Sequence, residues 1–200
     1  TLLIYKKSFF FRENQKNHVW QKNRELLELC GKTVVTVGCG SVGSECARRY
    51  KALGCRVLGV DLYPTENELY EKIYPLSVLP SVLSVSDAVI LTLPLTDETR
   101  GLFDGEMLSH MKNTAVLINI SRGAVVDEDA LTAALSEKKL YGAVLDVFES
   151  EPLSQDSPLW DMENVVITPH NSFVSEKNSE RLFSVIYGNL SDFLKGDKAE

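Results

Sequence analysis

Short β-branched apolar runs alternate along this chain with segments of helical spacing. Val34, Val35 and Val37 form the first run, too apolar for an edge strand. Further strands are predicted at 56–60, 88–93, 115–120, 141–147 and 165–168. Between them lie helical stretches at 44–54 and 104–112, a short helix before the third strand, and 127–138, with a long closing helix at 174–194. Asp104 is placed to cap its helix, and 127–138 carries acids in its first turn, where the helix dipole favours them. Residues 62–76 read as a loop with at most a short helix, and Asp87 as a turn residue only. Strands alternating with helices imply a parallel sheet covered on both faces.

The opening TLLIYKKSFFFRENQKNHVW reads as a helix with apolar residues around much of its circumference. One α/β domain does not cover all of it, so it is expected to begin partway through a helix joining two domains. His18 and Trp20 are expected to pack the approach to the first strand, with no chemistry assigned to His18.

The first strand stops at Gly38, and Gly38, Gly40 and Gly43 then fall in G-x-G-x-x-G spacing ahead of a helix. The first glycine permits the tight turn, the second a close backbone approach to a pyrophosphate, and the third close packing of helix on strand. The helix start offers N–H groups and a positive dipole end to an anion. Glycine turns that bind nothing share this spacing, so the residues beyond the turn decide its meaning. The second strand ends in Asp61, near the distance of roughly 20 residues at which an acid meets the ribose 2′-OH of an adenosine and repels a 2′-phosphate. NAD is therefore expected over NADP, although Asp61 as a plain strand-end residue is the alternative.

With 200 residues and 44% hydrophobic content, the chain can bury one substantial core. A formal charge of −7 and isolated basic pairs argue against nucleic acid and anionic membrane as partners. Cys30, Cys39, Cys46 and Cys55 show no metal-ligand spacing, and no metal is expected. Reduced, small, semi-buried thiols in a cytoplasmic protein fit them.

In an open parallel sheet, ligands bind beyond the carboxyl ends of the strands. Those ends carry the glycine turn, Asp61, Leu93–Pro94, Ile120-Ser121-Arg122, Asp146 and Thr168-Pro169-His170, with Glu151 on the acidic loop ESEPLSQDSPLWDMEN. A cation, an acid and a histidine at one edge suit hydride transfer to a 2-oxo acid. Arg122 can hold the carboxylate and polarise the carbonyl, His170 can donate a proton, and Glu151 can favour the protonated imidazole. Each residue taken singly also has a plain surface or loop reading.

The motifs VGCGSVG, LPLTDETRGLFD, INISRGAVVDEDAL, GAVLDVFESEPL and NVVITPH resemble the D-isomer-specific 2-hydroxyacid dehydrogenases over nearly the whole chain. That resemblance implies a Rossmann-type doubly wound parallel sheet with helices on both faces. It implies Arg122, Glu151 and His170 as catalytic residues. It places Asp146 at the nicotinamide side, with Pro94, Ile120 and Ser121 lining the same cleft. Ser41 and Val42 of the turn, Leu62 beside Asp61, Leu93 and Ser172 complete the implied cofactor set. It further implies a small 2-oxo or 2-hydroxy acid as substrate and a homodimer.

Two departures from the family pattern stand out. Asn171, Ser172 and Phe173 follow the histidine where small residues are common, and Phe173 is expected to narrow the cleft. The N-terminal substrate domain is expected to be largely absent. Residues 1–31 would then be the end of the interdomain helix and a connecting segment, 32–172 the NAD-binding domain, and 173–200 a C-terminal helix. Such a chain binds cofactor but turns over poorly. An NAD(H)-sensing corepressor-like module is the alternative function, and a methyl-donor or adenosyl-binding enzyme a third, which leaves the three polar residues without a role.

Overall fold

In the structure, a computed structural model that describes residues 1–196, the chain divides into two compact units. The first runs from Thr1 to Pro169 and the second begins at His170.

The first unit is built on a parallel sheet. Its strands are β1 (Thr33–Val37), β2 (Arg56–Asp61), β3 (Lys72–Pro75), β4 (Ala88–Leu91), β5 (Val116–Asn119), β6 (Gly142–Leu145) and β7 (Val165–Ile167). They lie in the order β3-β2-β1-β4-β5-β6-β7, and every pair is parallel. The order reverses between β1 and β4, which creates the crevice at the carboxyl ends where doubly wound sheets bind ligands.

The helices of this unit are α1 (Leu2–Tyr5), α2 (Ser8–Lys16), α3 (Ser41–Ala52), α4 (Leu79–Leu83), α5 (Gly105–Ser109) and α6 (Glu128–Ser136). Successive strand residues point to opposite faces, and both faces are apolar. Val35, Val37, Val89, Leu91 and Leu117 join residues of α4, α5 and α6 in one core. Val34, Val57, Ile90, Val116 and Ile118 join Ile4 and Tyr5 of α1 and Ala47 of α3 in the other. Burial on both faces explains why the strands read as continuous apolar runs and not as alternating ones. Each fully buried Val or Leu adds roughly 1.5–3 kcal/mol before entropy is counted. Asp104 and Asp127 cap α5 and α6, accepting from Met107 N at 2.8 Å and Ala130 N at 2.9 Å.

Several expectations change. The opening segment is two helices, broken at Lys7, whose φ of 50° lies in the left-handed region. Residues 62–76, read as loop, contain β3, an edge strand whose residues are only half-buried or exposed, so no apolar run announced it. Trp20 is 98% exposed and packs no approach to β1; buried Leu29 lies there instead. Asp87 is more than a turn residue. Its Oδ2 accepts from Thr33 N at 2.9 Å, its Oδ1 pairs with Lys112 Nζ at 3.1 Å, and its carbonyl accepts from the Tyr5 hydroxyl. The cysteines are free, and Cys30 is exposed where a half-buried thiol was expected.

The second unit holds α7 (Asn178–Lys195), closed by Gly196 in the left-handed conformation at φ 81°. Asn178 Nδ2 donates to Phe173 O at 2.8 Å and ties the turn ahead of α7 to its first residue.

Candidate active site

The turn after β1 is fixed by bonds to both neighbouring strands. Gly38 N donates to Val60 O at 2.8 Å, and Thr92 Oγ1, just past β4, donates to Gly38 O at 2.7 Å. Gly38 has a φ of 98°, and a side chain there would meet the Thr92 backbone at 2.9 Å. A Cβ on Gly43 would sit 2.0 Å from Gly38 O, so α3 can approach the turn this closely only through glycine. Gly40 differs. It is exposed, precedes the first residue of α3, and a Cβ there would meet nothing within 4 Å.

Thus two glycines pack against protein, and the middle one faces open space beside the α3 start. The first-turn N–H groups at Ser41, Val42 and Gly43 lack intrahelical acceptors, and Ser41 and Val42 are exposed. That surface fits a pyrophosphate, which accepts from such groups and gains from the helix dipole. Asp61, at the end of β2, supplies the second half of the fit. Its Oδ2 accepts from Cys39 N at 2.6 Å and its Oδ1 from Tyr63 N at 3.0 Å. A carboxylate has about four lone-pair positions, so both oxygens keep capacity for ribose hydroxyls. Leu62 beside it is exposed.

Further along the same edge, Leu93 is buried, Pro94 exposed and Ile120 half-buried. At the end of β5, Asn119 Oδ1 accepts from Ser121 N at 3.0 Å and Ser121 Oγ at 2.8 Å, while its Nδ2 donates to Arg122 O at 3.0 Å. Arg122 is exposed, and its Nη1 donates to Ser121 O at 2.7 Å. A Cβ on Gly123 would sit 1.8 Å from the Phe148 carbonyl carbon. The arginine loop therefore lies directly on the start of the acidic loop.

Glu151 Oε1 accepts from Phe148 N at 3.1 Å, so its carboxylate folds back onto the same short stretch. Glu128 of α6 accepts from Glu149 N at 3.3 Å and holds the loop from the other side. Asp146, 1% exposed, accepts from the hydroxyl of Thr168 just after β7. The structure thus brings together the loops of Arg122, Asp146 and Glu151. Leu159 anchors the remainder of the acidic loop in the core at 1% exposure.

His170 and Ser172 belong to the second unit, where both are exposed. His170 has a φ of 50°, a left-handed conformation uncommon outside glycine. Its ring meets that of Phe173 edge-on, with centroids 6.2 Å apart.

Asn119, Gly123, Thr92 and Glu128 were not singled out from the sequence. Gly123 directly following Arg122 was the available signal for a close backbone approach. Thr92 and Glu128 reveal their parts only through hydrogen bonds to distant backbone, whereas Asn119 bonds to Ser121 and Arg122 just beyond it.

A doubly wound parallel sheet with a closed glycine turn, an open helix start and an acid ending β2 defines a dinucleotide-binding domain of the Rossmann type. The model of the D-isomer specific 2-hydroxyacid dehydrogenase NAD binding domain matches residues 1–172, and the chain belongs to that family. NAD(P) is the cofactor class of such a domain.

The chain is 39% identical over 191 residues to a glyoxylate reductase of Korarchaeum cryptofilum, covering 94% of this chain and 57% of that protein. Among solved structures, it superposes with a TM-score of 0.90 on a D-isomer specific 2-hydroxyacid dehydrogenase family protein from Aeromonas salmonicida. Identity there is 36%, over 100% of this chain and 63% of that one. An NADPH-dependent glyoxylate/hydroxypyruvate reductase from Sinorhizobium meliloti, in complex with NADP and sulfate, matches with a TM-score of 0.88. It is 31% identical, again over 100% of this chain and 63% of that one. The chain spans a little over half the length of the curated relative it matches.

Proposed function

We propose that this chain is the cofactor-binding part of an oxidoreductase that interconverts a small D-2-hydroxy acid and its 2-oxo acid. The observation that carries the reading is Arg122, held at the end of β5 with a single side-chain bond, from Nη1 to Ser121 O. Its remaining guanidinium donors have no protein partner among the described residues, and a planar fork of that kind matches a carboxylate.

When bound, the nicotinamide supplies or accepts the hydride. Arg122 binds the substrate carboxylate and polarises the 2-oxo group. An imidazole N–H of His170 gives its proton to the carbonyl oxygen as that oxygen becomes an alkoxide. Glu151 favours the protonated imidazole. Asp146 is assigned to the nicotinamide side, with Leu93, Pro94, Ile120, Ser121 and Ser172 completing the cofactor contacts. Support for these roles is their place in motifs within the residues that the family model matches.

NAD is proposed as the preferred cofactor. From Asp61 to Glu71 the chain has four acids and no lysine or arginine, so a 2′-phosphate would meet repulsion and no cation. Residues 32–172 are proposed as the cofactor domain, between a connecting segment at 1–31 and a C-terminal segment from 173 that holds α7, of which 197–200 lie outside the described residues. A homodimer is proposed from the exposed apolar residues of the opening segment, among them Leu2, Leu3, Phe9, Phe11 and Trp20. A cytoplasmic setting is proposed from the four free thiols.

The test is steady-state reduction of glyoxylate and hydroxypyruvate with NADH by a version of the protein that carries the substrate domain, beside Arg122→Ala and His170→Ala variants of it. Both variants should lose at least about a hundredfold in kcat/KM, in the range for a general acid or a charge clamp. NADH affinity, followed by fluorescence, should stay within a few-fold. Unchanged turnover in either variant removes that residue from the mechanism.

A further inference from the structure

We infer that Asn119 is a positioning residue that acts through Arg122. This inference rests on the catalytic reading of Arg122 given above. Asn119 ends β5 with 1% of its surface exposed, in the middle of the sheet. Its backbone belongs to the ladder, its carbonyl accepting from Asp146 N at 3.0 Å. An apolar residue would serve at such a place if packing alone mattered, because a buried amide without partners is costly.

Both ends of this amide are instead committed within the next three residues. The oxygen takes the Ser121 N–H and hydroxyl, and the nitrogen holds Arg122 O at 3.0 Å. The loop is also held by Val125 N, which donates to Arg122 O at 3.2 Å, and by the contact of Gly123 with the Phe148 backbone. Arg122 thus has its carbonyl pinned by Asn119 on one side and its C-terminal neighbour pinned by the acidic loop on the other. Its guanidinium is steadied in turn by Ser121 O, the carbonyl of the residue whose N–H and hydroxyl Asn119 also holds. Deleting the amide leaves Arg122 O with the Val125 N–H alone and frees the Ser121 N–H and hydroxyl, so both Arg122 and the carbonyl that anchors Nη1 are loosened. A displacement of about 1 Å at a clamp is enough to cost on the order of a hundredfold in rate.

The consequence is specific to substrate carboxylate binding. Asn119 makes no bond to the glycine turn or to Asp61, so its loss should not move dinucleotide affinity. Aspartate at this position would keep the acceptor for Ser121 and lose the Nδ2 donor to Arg122 O. It therefore removes the bond that carries the inference while adding a buried charge beside Arg122 O.

A double-mutant cycle in the version that carries the substrate domain tests this, with Asn119→Ala, Arg122→Ala and the double variant assayed for reduction of glyoxylate or hydroxypyruvate and for NADH binding. The expected result is a rise of about tenfold or more in KM for the 2-oxo acid in Asn119→Ala, with NADH affinity within twofold of the parent. The double variant should be no worse than Arg122→Ala alone. Losses that multiply in the double variant, or an equal loss of NADH affinity, would make Asn119 a purely structural residue and overturn the inference. Should Asn119→Ala fail to fold, the same cycle is run with Asn119→Asp, where kinetics equal to the parent's overturn it. If Arg122→Ala itself retains full activity, the catalytic reading of Arg122 fails, and that outcome is visible independently of any Asn119 variant.

Discussion

The backbone N–H of Cys39 donates to Asp61 Oδ2 across 2.6 Å, joining the glycine turn to the end of β2. The acid proposed to meet the adenosine ribose is therefore also a brace for the loop proposed to receive the pyrophosphate. Replacing Asp61 with alanine should have two effects. The preference for NADH over NADPH should narrow by about tenfold, because the charge that repels a 2′-phosphate is gone, and a tenfold change corresponds to about 1.4 kcal/mol. Affinity for both cofactors should also fall, because Cys39 N and Tyr63 N lose their acceptor. Parallel NADH and NADPH titrations check this, and an unchanged ratio defeats the proposed NAD preference.

The three glycines of the turn should respond differently to one added methyl. Gly43→Ala places a Cβ 2.0 Å from Gly38 O, a backbone atom that cannot swing away. Overpacking of this kind costs about 1–3 kcal/mol or more, and the melting temperature should fall by at least about 2 °C in a chain of this size. Gly40→Ala meets nothing within 4 Å. Its melting temperature should stay close to the parent's while NADH binding weakens, since the methyl projects into the space proposed for the pyrophosphate. Calorimetry with and without NADH separates the two, and equal melting temperatures for both variants contradict the packing described for α3.

These contrasts bear on how much was legible in the sequence. Six of the strands came directly from apolar runs, because a parallel sheet covered on both faces leaves no polar alternation to confuse the reading. β3 was missed for the complementary reason: Lys72-Ile73-Tyr74-Pro75 is short, sits at an edge and ends in proline. Trp20 misled because a large aromatic suggests burial, yet none of the described residues covers it. The strand ends that carry the candidate site residues were legible because the order of strands and helices alone places them. Thr92 was not, since its partner on a distant loop leaves no mark in local spacing, and Asn119 was not, since its bonds to Ser121 and Arg122 depend on how the chain turns at the end of β5.

Alkaline stability should report on two buried tyrosines. Burial raises the Tyr5 hydroxyl well above its ordinary value near 10, and the nearby Asp87 charge adds to this. Burial likewise pushes Tyr70 up to about 12, against the bond from Thr36 Oγ1 at 3.1 Å. In the unfolded chain both ionise near 10, so above that pH the native state binds more protons than the unfolded one. Stability is then lost as pH rises, with the contribution intact below about 10 and fading toward 12. Urea midpoints measured from pH 8 to beyond pH 11 should fall at the alkaline end, and less steeply in Tyr70→Phe. A flat profile in the parent would place these hydroxyls in contact with solvent.

Trp20, 98% exposed, offers a direct reading of self-association. Indole is among the side chains most enriched in the desolvated centres of protein interfaces, and Phe11, 37% exposed, lies with Trp20 beside the same apolar hollow. With Trp160→Phe as background, Trp20 is the sole tryptophan of the sequence. If the opening segment carries the proposed homodimer, its emission should shift to the blue and its quenching by iodide should decline as concentration rises through the dimerisation range. Sedimentation should show the mass doubling over the same range. Trp20→Ala should weaken the dimer by at least tenfold, the scale of an interface anchor, while NADH binding to the glycine turn continues. A dimer that forms with Trp20 still fully quenchable would place the interface on another surface.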